Sequence, residues 1–401
     1  MSYITNTVSL TDESRRKHVY IIGATGVGKS SLLLRMMQDD LSRGRGFALI
    51  DPNGDLARAV ADSIPPNRFR STENDTDDVI YFDPLSDNAV RYNPLVTTDP
   101  FHRATIASHI VAAFKHIWLD TWGPRLEYIL TNALRLMLEN PGTTLVDLPR
   151  LLTNKGYRTQ LLRTCSDPYI KAFWEDEYDN YSDRLRAEAI APIQNKVGQF
   201  ANNPILRDII GHASGVDVSD IMNSRRVLIC NLSKRMGAEP SHLLGALLVT
   251  AFAQAAQDRD TIPEEQRQDF TLYVDEFQNF ATESFTSILA EARKYRLNLV
   301  LAHQYLAQLP EGLRDAVLAN AYTKIVFRVG VDDAEHFTAQ FRLRDAWAVP
   351  TPWLLTELED HVAYVDGARM HLDRPGPTRQ SLMRVQKSTA ARYAHPRKMK
   401  K

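Results

Sequence analysis

A glycine-rich turn between a predicted strand and a predicted helix constrains this chain more than any other feature of its sequence. Residues 23–30 read Gly-Ala-Thr-Gly-Val-Gly-Lys-Ser and fit the phosphate-loop pattern G-x-x-x-x-G-K-[ST]. The apolar run His18 to Ile22 precedes the turn, and the helix-forming run Ser31 to Met37 follows it. This is the context that the motif requires. The sequence therefore predicts a nucleotide-binding α/β domain with the loop at the start of a helix.

The phosphate-loop motif also predicts what individual residues do. Backbone N–H groups of the turn and of the helix N-terminus are expected to cradle phosphate oxygens. Lys29 is expected to reach the β- and γ-phosphates of ATP, and the Ser30 hydroxyl is expected to hold Mg²⁺. The residues predicted to surround the phosphates are Gly23, Ala24, Thr25, Gly26, Val27, Gly28, Lys29, Ser30 and Ser31.

A second motif supplies the carboxylates that such a site needs. Asp275 and Glu276 follow the apolar run Phe270 to Val274, and ligands bind at the carboxyl ends of the strands in open parallel sheets. We expect Asp275 to bind Mg²⁺ through water. We expect Glu276 to be the base that orients and polarises the water attacking the γ-phosphate. Asp55 and Glu283 are the alternative bases.

A side-chain amide follows the next predicted strand. Gln304 comes after the run Leu297 to Ala302, so its amide is predicted to lie at the end of the strand beside Asp275. There it could hydrogen-bond the γ-phosphate or the attacking water and act as a nucleotide sensor. The alternative is an ordinary loop amide. His303 is interpreted as a packing residue without a catalytic role.

The order of strand and helix signals predicts one sheet interrupted by helices. Helical periodicity dominates from residue 100 to about 223, as in Arg125 to Glu139, and strand signals resume at Arg226. Because helices separate most strands, the sheet is expected to be mostly parallel. We predict a first part of the α/β core at 1–99, an all-helical insertion at 100–223, a second part of the core at 224–383 and a basic disordered tail at 384–401. The strands are predicted at residues 18–22, 46–50, 79–82, 226–232, 270–274, 297–302, 324–328 and 362–365.

Composition narrows the function classes. Two cysteines, Cys165 and Cys230, cannot form a disulfide framework, which indicates a reducing compartment. The longest apolar stretch, Leu243 to Ala256, is too short to span a bilayer. We therefore expect no transmembrane segment and a cytoplasmic location, with a peripheral position at the inner face of the cell membrane as the alternative. A net charge of −1 is unlike a simple basic DNA-binding domain. It still allows a ring whose positive charge faces a central channel.

Four segments carry a family resemblance. They are Lys17 to Ser30, Ile50 to Leu56, Tyr273 to Phe280, and Glu291 to Gln304. Together they resemble the HerA/FtsK superfamily of DNA-pumping ATPases, and within it the TraG/TraD-like ATPases of conjugative type IV secretion systems. The similarity covers roughly residues 15 to 370. It implies a RecA-like P-loop NTPase core, a homo-hexameric ring, movement of DNA through the centre without regard to base sequence, and contacts with secretion or relaxosome proteins.

The chain departs from that family at two points. Membrane-tethered members of the conjugative branch usually begin with transmembrane helices, and none is predicted here. HerA-like proteins tend to place an arginine before the histidine that precedes the phosphate-loop strand, where it acts on a neighbour's nucleotide. That position is Lys17 in this chain, and lysine lacks the guanidinium fork. The resemblance therefore leaves three candidates for the role in trans, which are Lys17, Arg16 and Arg328.

These observations predict an Mg²⁺-dependent ATPase that translocates DNA, in plasmid conjugation or related DNA transfer. One alternative keeps the motor and changes the cargo, as in viral genome packaging or protein secretion. The other is a nucleotide-dependent adaptor that uses ATP as a switch without processive motion. Arg293, Lys294 and Arg296 form the basic cluster nearest the predicted site, and either DNA contact or a solvated helix face explains them.

Overall fold

A mostly parallel sheet forms the centre of the part of the molecule that carries the phosphate-loop motif. A computed structural model describes residues 11–69, 78–97, 99–282, 285–342, 349–372 and 375–393. The alternative base Glu283 lies outside these residues. The strands of the described part are β1 (Val19–Ile22), β2 (Gly46–Asp51), β3 (Val79–Phe82), β4 (Val227–Asn231), β5 (Phe270–Asp275), β6 (Leu297–His303), β7 (Thr323–Val326), β8 (Val362–Val365) and β9 (Ala368–His371).

The strand order is β3-β4-β2-β5-β6-β1-β7-β8-β9. Pairing is parallel from β3 to β7 and antiparallel for β7-β8 and β8-β9. Every residue of the parallel strands is buried. Their continuous apolar runs are typical of a sheet covered on both faces. The predicted parallel α/β fold is therefore confirmed, whereas the short hairpin strand β9 was not predicted.

Helices connect and flank the strands. The α-helices of the described residues are, in chain order, α1 (Asp12–Arg16), α2 (Lys29–Ser42), α3 (Asp55–Asp62), α4 (Arg103–Ile117), α5 (Pro124–Leu138), α6 (Leu148–Thr153), α7 (Lys155–Leu162), α8 (Pro168–Ala172), α9 (Asp183–Asn202), α10 (Pro204–Ile210), α11 (Val218–Asn223), α12 (Ala238–Gln257), α13 (Phe285–Glu291), α14 (Glu311–Asn320), α15 (Val331–Arg342), α16 (Pro352–Thr356) and α17 (Leu382–Tyr393). None of the helices in this part of the chain is long and apolar enough to cross a membrane.

The chain divides into two compact units. The sheet unit consists of Met1–Phe82, Val218–Ser233 and Phe252–Ser388. The helical unit consists of Asp83–Asp217, Lys234–Ala251 and Thr389–Lys401. In the helical unit, the buried Trp174 and Tyr178 rings pack edge to face. The guanidinium of Arg158 lies over the Tyr178 ring and forms a salt bridge with Asp179.

Two buried arginines join separate elements of the sheet unit. Arg15 of α1 donates to both carboxylate oxygens of Asp40 on α2, at 2.7 and 2.6 Å, and to the Tyr273 hydroxyl on β5, at 2.6 Å. Arg259 donates to the backbone carbonyls of Met222, Gln268 and Tyr295 and to the side-chain oxygen of Asn223, at 2.7 to 3.0 Å. Burial, together with the nearby charge of Arg267, lowers the pKa of Arg259 to about 10, and the charge of Asp269 opposes that shift. Through its bonds to Asp40 and Tyr273, Arg15 fixes α1 to α2 and to β5.

The prediction of a disordered tail from residue 384 is wrong for residues 384–393. These residues belong to α17, and Val385 is fully buried in the core of the sheet unit. Arg384 lies over the ring of Phe69. The composition of the tail is basic, but its apolar residues occur where one face of a helix can bury them. Residues 394–401 lie outside the described part of the chain.

Candidate nucleotide site

The register of the sheet brings the predicted site residues to one edge. Neighbouring strands β2, β5, β6 and β1 are parallel, with Ile22 opposite His303 and Asp275 opposite Ala302. Their carboxyl ends therefore lie side by side. The loop that follows Ile22, the carboxylates at the end of β5 and the amide after β6 all start from this edge, which is where open α/β sheets bind ligands.

The phosphate loop runs from Gly23 to Gly28 and enters α2 at Lys29. Gly26 and Gly28 have φ angles of 83° and 114°, a region that L side chains rarely adopt. A Cβ atom on Gly23 would lie 2.5 Å from the Cβ of Phe327. The glycines are therefore required by backbone shape and by close packing. The first N–H groups of α2 have no acceptor within the helix and suit an anion such as phosphate.

Lys29 is buried inside this loop. Its ammonium group donates to the carbonyl oxygens of Gly23 at 2.6 Å and Ala24 at 2.9 Å. Burial lowers the pKa of Lys29, and the nearby carboxylates of Glu276 and Asp275 oppose that shift. The amine therefore lies within electrostatic reach of both predicted acidic residues.

Two buried aspartates stand at the ends of adjacent strands. Asp275 is 4% exposed, and its pKa rises to about 7 because of burial, with further contributions from the charges of Asp51 and Glu276. Asp51, which the sequence analysis did not select, ends β2 and accepts hydrogen bonds from the backbone N–H groups of Asn53 and Ala57, both at 2.8 Å. Its role in this structure is to shape the turn before α3.

The residues present fit a magnesium ion. A buried carboxylate with a raised pKa is a group that a cation would stabilise in its ionised form. Ser30 at the start of α2 is exposed and offers a second hard oxygen. Asp275 and Ser30 are therefore the residues that would hold Mg²⁺, which would neutralise charge on the β- and γ-phosphates of a bound nucleotide.

Glu276 is held by two side-chain amides. Its φ of 48° places it in the left-handed region directly after β5. One carboxylate oxygen accepts a hydrogen bond from Nε2 of Gln304 at 3.0 Å, and the other accepts from Nε2 of Gln278 at 2.8 Å. The structure thus joins the predicted base and the predicted sensor directly. Gln278 was not predicted from the sequence. The alternative base Asp55 has a side chain that is 87% exposed and paired with Arg58.

A polar network beside the buried His303 orients Gln304. The side-chain oxygen of Gln308 accepts from the backbone N–H groups of Gln304 at 3.0 Å and Tyr305 at 3.2 Å, and it lies 3.2 Å from Nδ1 of His303. The other ring nitrogen of His303 bonds to the Tyr20 hydroxyl. Burial lowers the pKa of His303 to about 3, so the ring is neutral. His303 contributes packing and orientation.

The three basic candidates for a role in trans occupy two different edges of the sheet. Arg328 comes two residues after the end of β7 and therefore lies at the carboxyl-terminal edge, on the same side as the phosphate loop. It donates to the Leu358 carbonyl and to Asp360, both at 2.9 Å. Arg16 and Lys17 precede β1 and therefore lie at the opposite, amino-terminal edge.

Arg16 and Lys17 both have acidic partners within the chain. Arg16 forms a two-pronged ion pair with Asp269, and Lys17 pairs with Glu13 at 2.7 Å. Neither side chain is near the nucleotide site of its own chain. In the basic cluster near α13, Lys294 pairs with Asp260, and Arg296 lies within 4 Å of Glu264 and Asp269.

Comparison with known proteins agrees with this geometry. The profile of the family described as "Type IV secretion-system coupling protein DNA-binding domain" matches residues 2–341. No curated protein matches the chain. Two solved structures of the plasmid coupling protein TrwB are similar, each at 17% identity with a TM-score of 0.63. The complex with a non-hydrolysable ATP analogue matches over 94% of this chain and 90% of TrwB. The complex with ADP and Mg²⁺ matches over 92% and 89%.

VirB4 of Thermoanaerobacter pseudethanolicus is also similar, at 15% identity and a TM-score of 0.55 over 90% of this chain and 89% of VirB4. At such identities the structural matches establish the fold alone. The family profile is a match of sequence, and it extends over most of the chain.

Proposed function

This chain belongs to the family of type IV secretion-system coupling protein DNA-binding domains, and we propose that it is an Mg²⁺-dependent ATPase that moves DNA. The observation that carries the proposal is the meeting of Lys29, Asp275, Glu276 and Gln304 at one edge of the sheet. A phosphate loop, a metal-binding carboxylate, a base and an amide are the parts that ATP hydrolysis requires. TrwB itself has been solved with an ATP analogue and with ADP and Mg²⁺.

Each of these residues has its own role in the proposed hydrolysis reaction. Lys29 and the N–H groups at the start of α2 hold the β- and γ-phosphates. Glu276 accepts a proton from water while the water oxygen attacks the γ-phosphorus and the bond to the bridging oxygen of the β-phosphate breaks. Gln304 bonds to Glu276 and lies at the carboxyl end of β6, so it is placed to report on the γ-phosphate or on the water. Positioning and charge stabilisation supply most of the rate enhancement in this chemistry.

The position of Arg16 and Lys17 favours a ring in which neighbouring subunits share each site. Both residues lie at the amino-terminal edge of the sheet, away from the phosphate loop of their own chain. In a head-to-tail ring, that edge of one subunit would face the nucleotide of the next. Arg328 lies beside the phosphate loop of its own chain, since the N–H of Ala24 donates to the carbonyl oxygen of Arg328 at 2.8 Å. We therefore propose that Arg16 or Lys17 acts on the neighbour's γ-phosphate, in the homo-hexameric ring that the family resemblance implies.

We further propose that the chain serves conjugative DNA transfer, contacts secretion or relaxosome proteins, and is cytoplasmic, with a peripheral position at the inner face of the cell membrane as the alternative. The family membership supports each of them. DNA would be gripped through its phosphates and moved without reading its bases.

The deciding experiment compares ATP turnover without DNA, with single-stranded DNA and with double-stranded DNA, using several unrelated sequences. Lys29→Ala protein is the control for contaminating ATPases. A DNA motor should hydrolyse ATP faster when DNA is present, and to the same extent with every sequence. Turnover that ignores DNA would favour the adaptor, and turnover raised only by a protein substrate would favour a protein-secretion motor.

A further inference from the structure

The turn after β5 contains a polar side chain, Gln278, that contacts the proposed base Glu276. Gln278 lies between two aromatic residues, Phe277 and Phe280, which are 0% and 1% exposed. The ring of Phe277 packs against Tyr20 and His303. The turn is therefore anchored in the core on both sides of Gln278.

The same turn fixes the backbone of the base. The N–H of Asn279 donates to the carbonyl oxygen of Glu276 at 3.0 Å, and the N–H of Glu276 donates to a carboxylate oxygen of Asp275 at 3.1 Å. With its backbone in the left-handed region, Glu276 projects its side chain in a direction set by these bonds. The amide of Gln278 then meets one carboxylate oxygen at 2.8 Å, on the side that Gln304 does not occupy.

From this arrangement we infer that Gln278 is a positioning residue for Glu276. The two amides are not equivalent, because Gln304 follows a different strand and is the proposed partner of the γ-phosphate or of the attacking water. When Gln304 engages the nucleotide, its hydrogen bond to Glu276 is available for exchange. Gln278 belongs to the turn of Glu276 itself and keeps the carboxylate oriented throughout. A carboxylate oxygen also retains a second lone pair, so the bond to Gln278 does not prevent acceptance of a proton from water.

The inference rests on the proposed ATPase function and predicts a selective kinetic defect. Gln278→Met keeps the length and approximate volume of the side chain and removes the donor. A hydrogen bond to a charged group is strong enough that its loss should lower kcat about 10- to 100-fold. The dissociation constant of a non-hydrolysable ATP analogue should stay within about 2-fold of wild type, since the phosphate loop is untouched. Gln278→Asn, which retains an amide, should recover part of kcat. Gln160→Met, the same exchange at an exposed position of α7, is the matched control and should keep kcat.

A double-mutant cycle separates a role through Glu276 from a general structural role. In a Glu276→Gln background, Gln278→Met should lower the residual kcat by less than about 2-fold, because the group it positions is already gone. The free energies of unfolding of the same proteins are also measured with urea, without nucleotide. The effects of the two substitutions on this free energy should be non-additive, whether or not the protein hydrolyses ATP.

Wild-type kcat in Gln278→Met, or an equal fold-loss in both backgrounds, would overturn the inference while the ATPase assignment stands. A wild-type chain without ATP turnover counts against the proposed function. In that case, additive effects of the two substitutions on the free energy of unfolding would show that Gln278 does not hold Glu276, and non-additive effects would support that contact.

Discussion

Replacing Asp275 with asparagine should stabilise the metal-free protein at alkaline pH while it removes metal-dependent turnover. The carboxyl group is 4% exposed, and burial together with the charges of Asp51 and Glu276 raises its pKa from 3.8 to about 7. In the unfolded chain the group loses its proton near pH 3.8, whereas the folded protein retains it until about pH 7. Between these values the unfolded state binds fewer protons, so stability falls as pH rises. Below the lower value and above the higher one, this contribution is constant.

The size of the effect follows from the same pKa values. Each unit corresponds to about 1.4 kcal/mol, so ionising Asp275 in the folded protein costs about 4 kcal/mol in total. Roughly two units of that range lie between pH 5 and pH 7. The stability difference between Asp275→Asn and wild type should therefore grow by about 2 to 3 kcal/mol from pH 5 to pH 8. Relative to wild type, the variant becomes more stable as the pH rises, because its amide cannot ionise.

The assay is urea unfolding at pH 5, 6, 7 and 8 in EDTA, without nucleotide, followed by circular dichroism. Asp55→Asn is the matched control, since its side chain is 87% exposed and the same exchange there removes no buried carboxylate. Adding Mg²⁺ and ADP at pH 8 should stabilise wild type more than Asp275→Asn, because the metal binds the ionised carboxylate. Stability curves for Asp275→Asn and wild type that run parallel from pH 5 to pH 8 would refute this reasoning.

Three further outcomes can be measured directly. Lys29→Ala should lose nucleotide binding, whereas Glu276→Gln should bind ATP and hydrolyse it very slowly; near-normal turnover in the latter would show that Glu276 is not the base. The double change Arg16→Ala with Lys17→Ala should lower turnover by a large factor, up to about 10³ to 10⁵, with nucleotide binding intact. Mixing it with Lys29→Ala subunits should restore part of the activity, and a fully active monomer in sedimentation would contradict the shared site. Arg259→Met should lower the free energy of unfolding by about 2 to 4 kcal/mol, because two buried carbonyl groups and one half-buried carbonyl group lose their donor; an unchanged urea midpoint would argue against that.

The fold was predictable because its signals are local and repeated. Each parallel strand is a short apolar run that ends at a turn or a charged residue, and the phosphate loop fixes one strand-to-helix junction by pattern alone. The parallel pairing then follows, because helices separate most successive strands and the continuous apolar runs fit a sheet covered on both faces. Strand β9 was missed because only Met370 of its four residues is buried, so the sequence carries little apolar signal there.

Residues of the candidate site could be selected from the sequence only where a motif or the end of a predicted strand pointed to them. Lys29, Asp275 and Glu276 belong to patterns with a stated chemistry. The partners that hold them do not, since Gln278 and Gln308 are amides in short turns and look like ordinary surface residues in the sequence. Two features of the sequence could have indicated Gln278. It is two residues from the base, and it lies between two aromatic residues. Asp51 was missed although it also ends an apolar strand, the position that identified Asp275.

The basic cluster at residues 15–17 shows why charge in a sequence does not by itself predict a binding surface. Successive helical residues point about 100° apart, so three neighbouring cations face different surroundings. Arg15 turns inward and is neutralised by Asp40 on the phosphate-loop helix. Arg16 pairs with Asp269 at the start of the strand that carries Asp275, and Lys17 pairs with the more exposed Glu13. An exposed pair on the surface is weak, so Lys17 can change partners at the lowest cost, whereas Arg15 has a structural role. A subunit interface that recruits this cluster must therefore break the Arg16–Asp269 pair or use Lys17. Single Arg16→Ala and Lys17→Ala variants would show which of the two it uses.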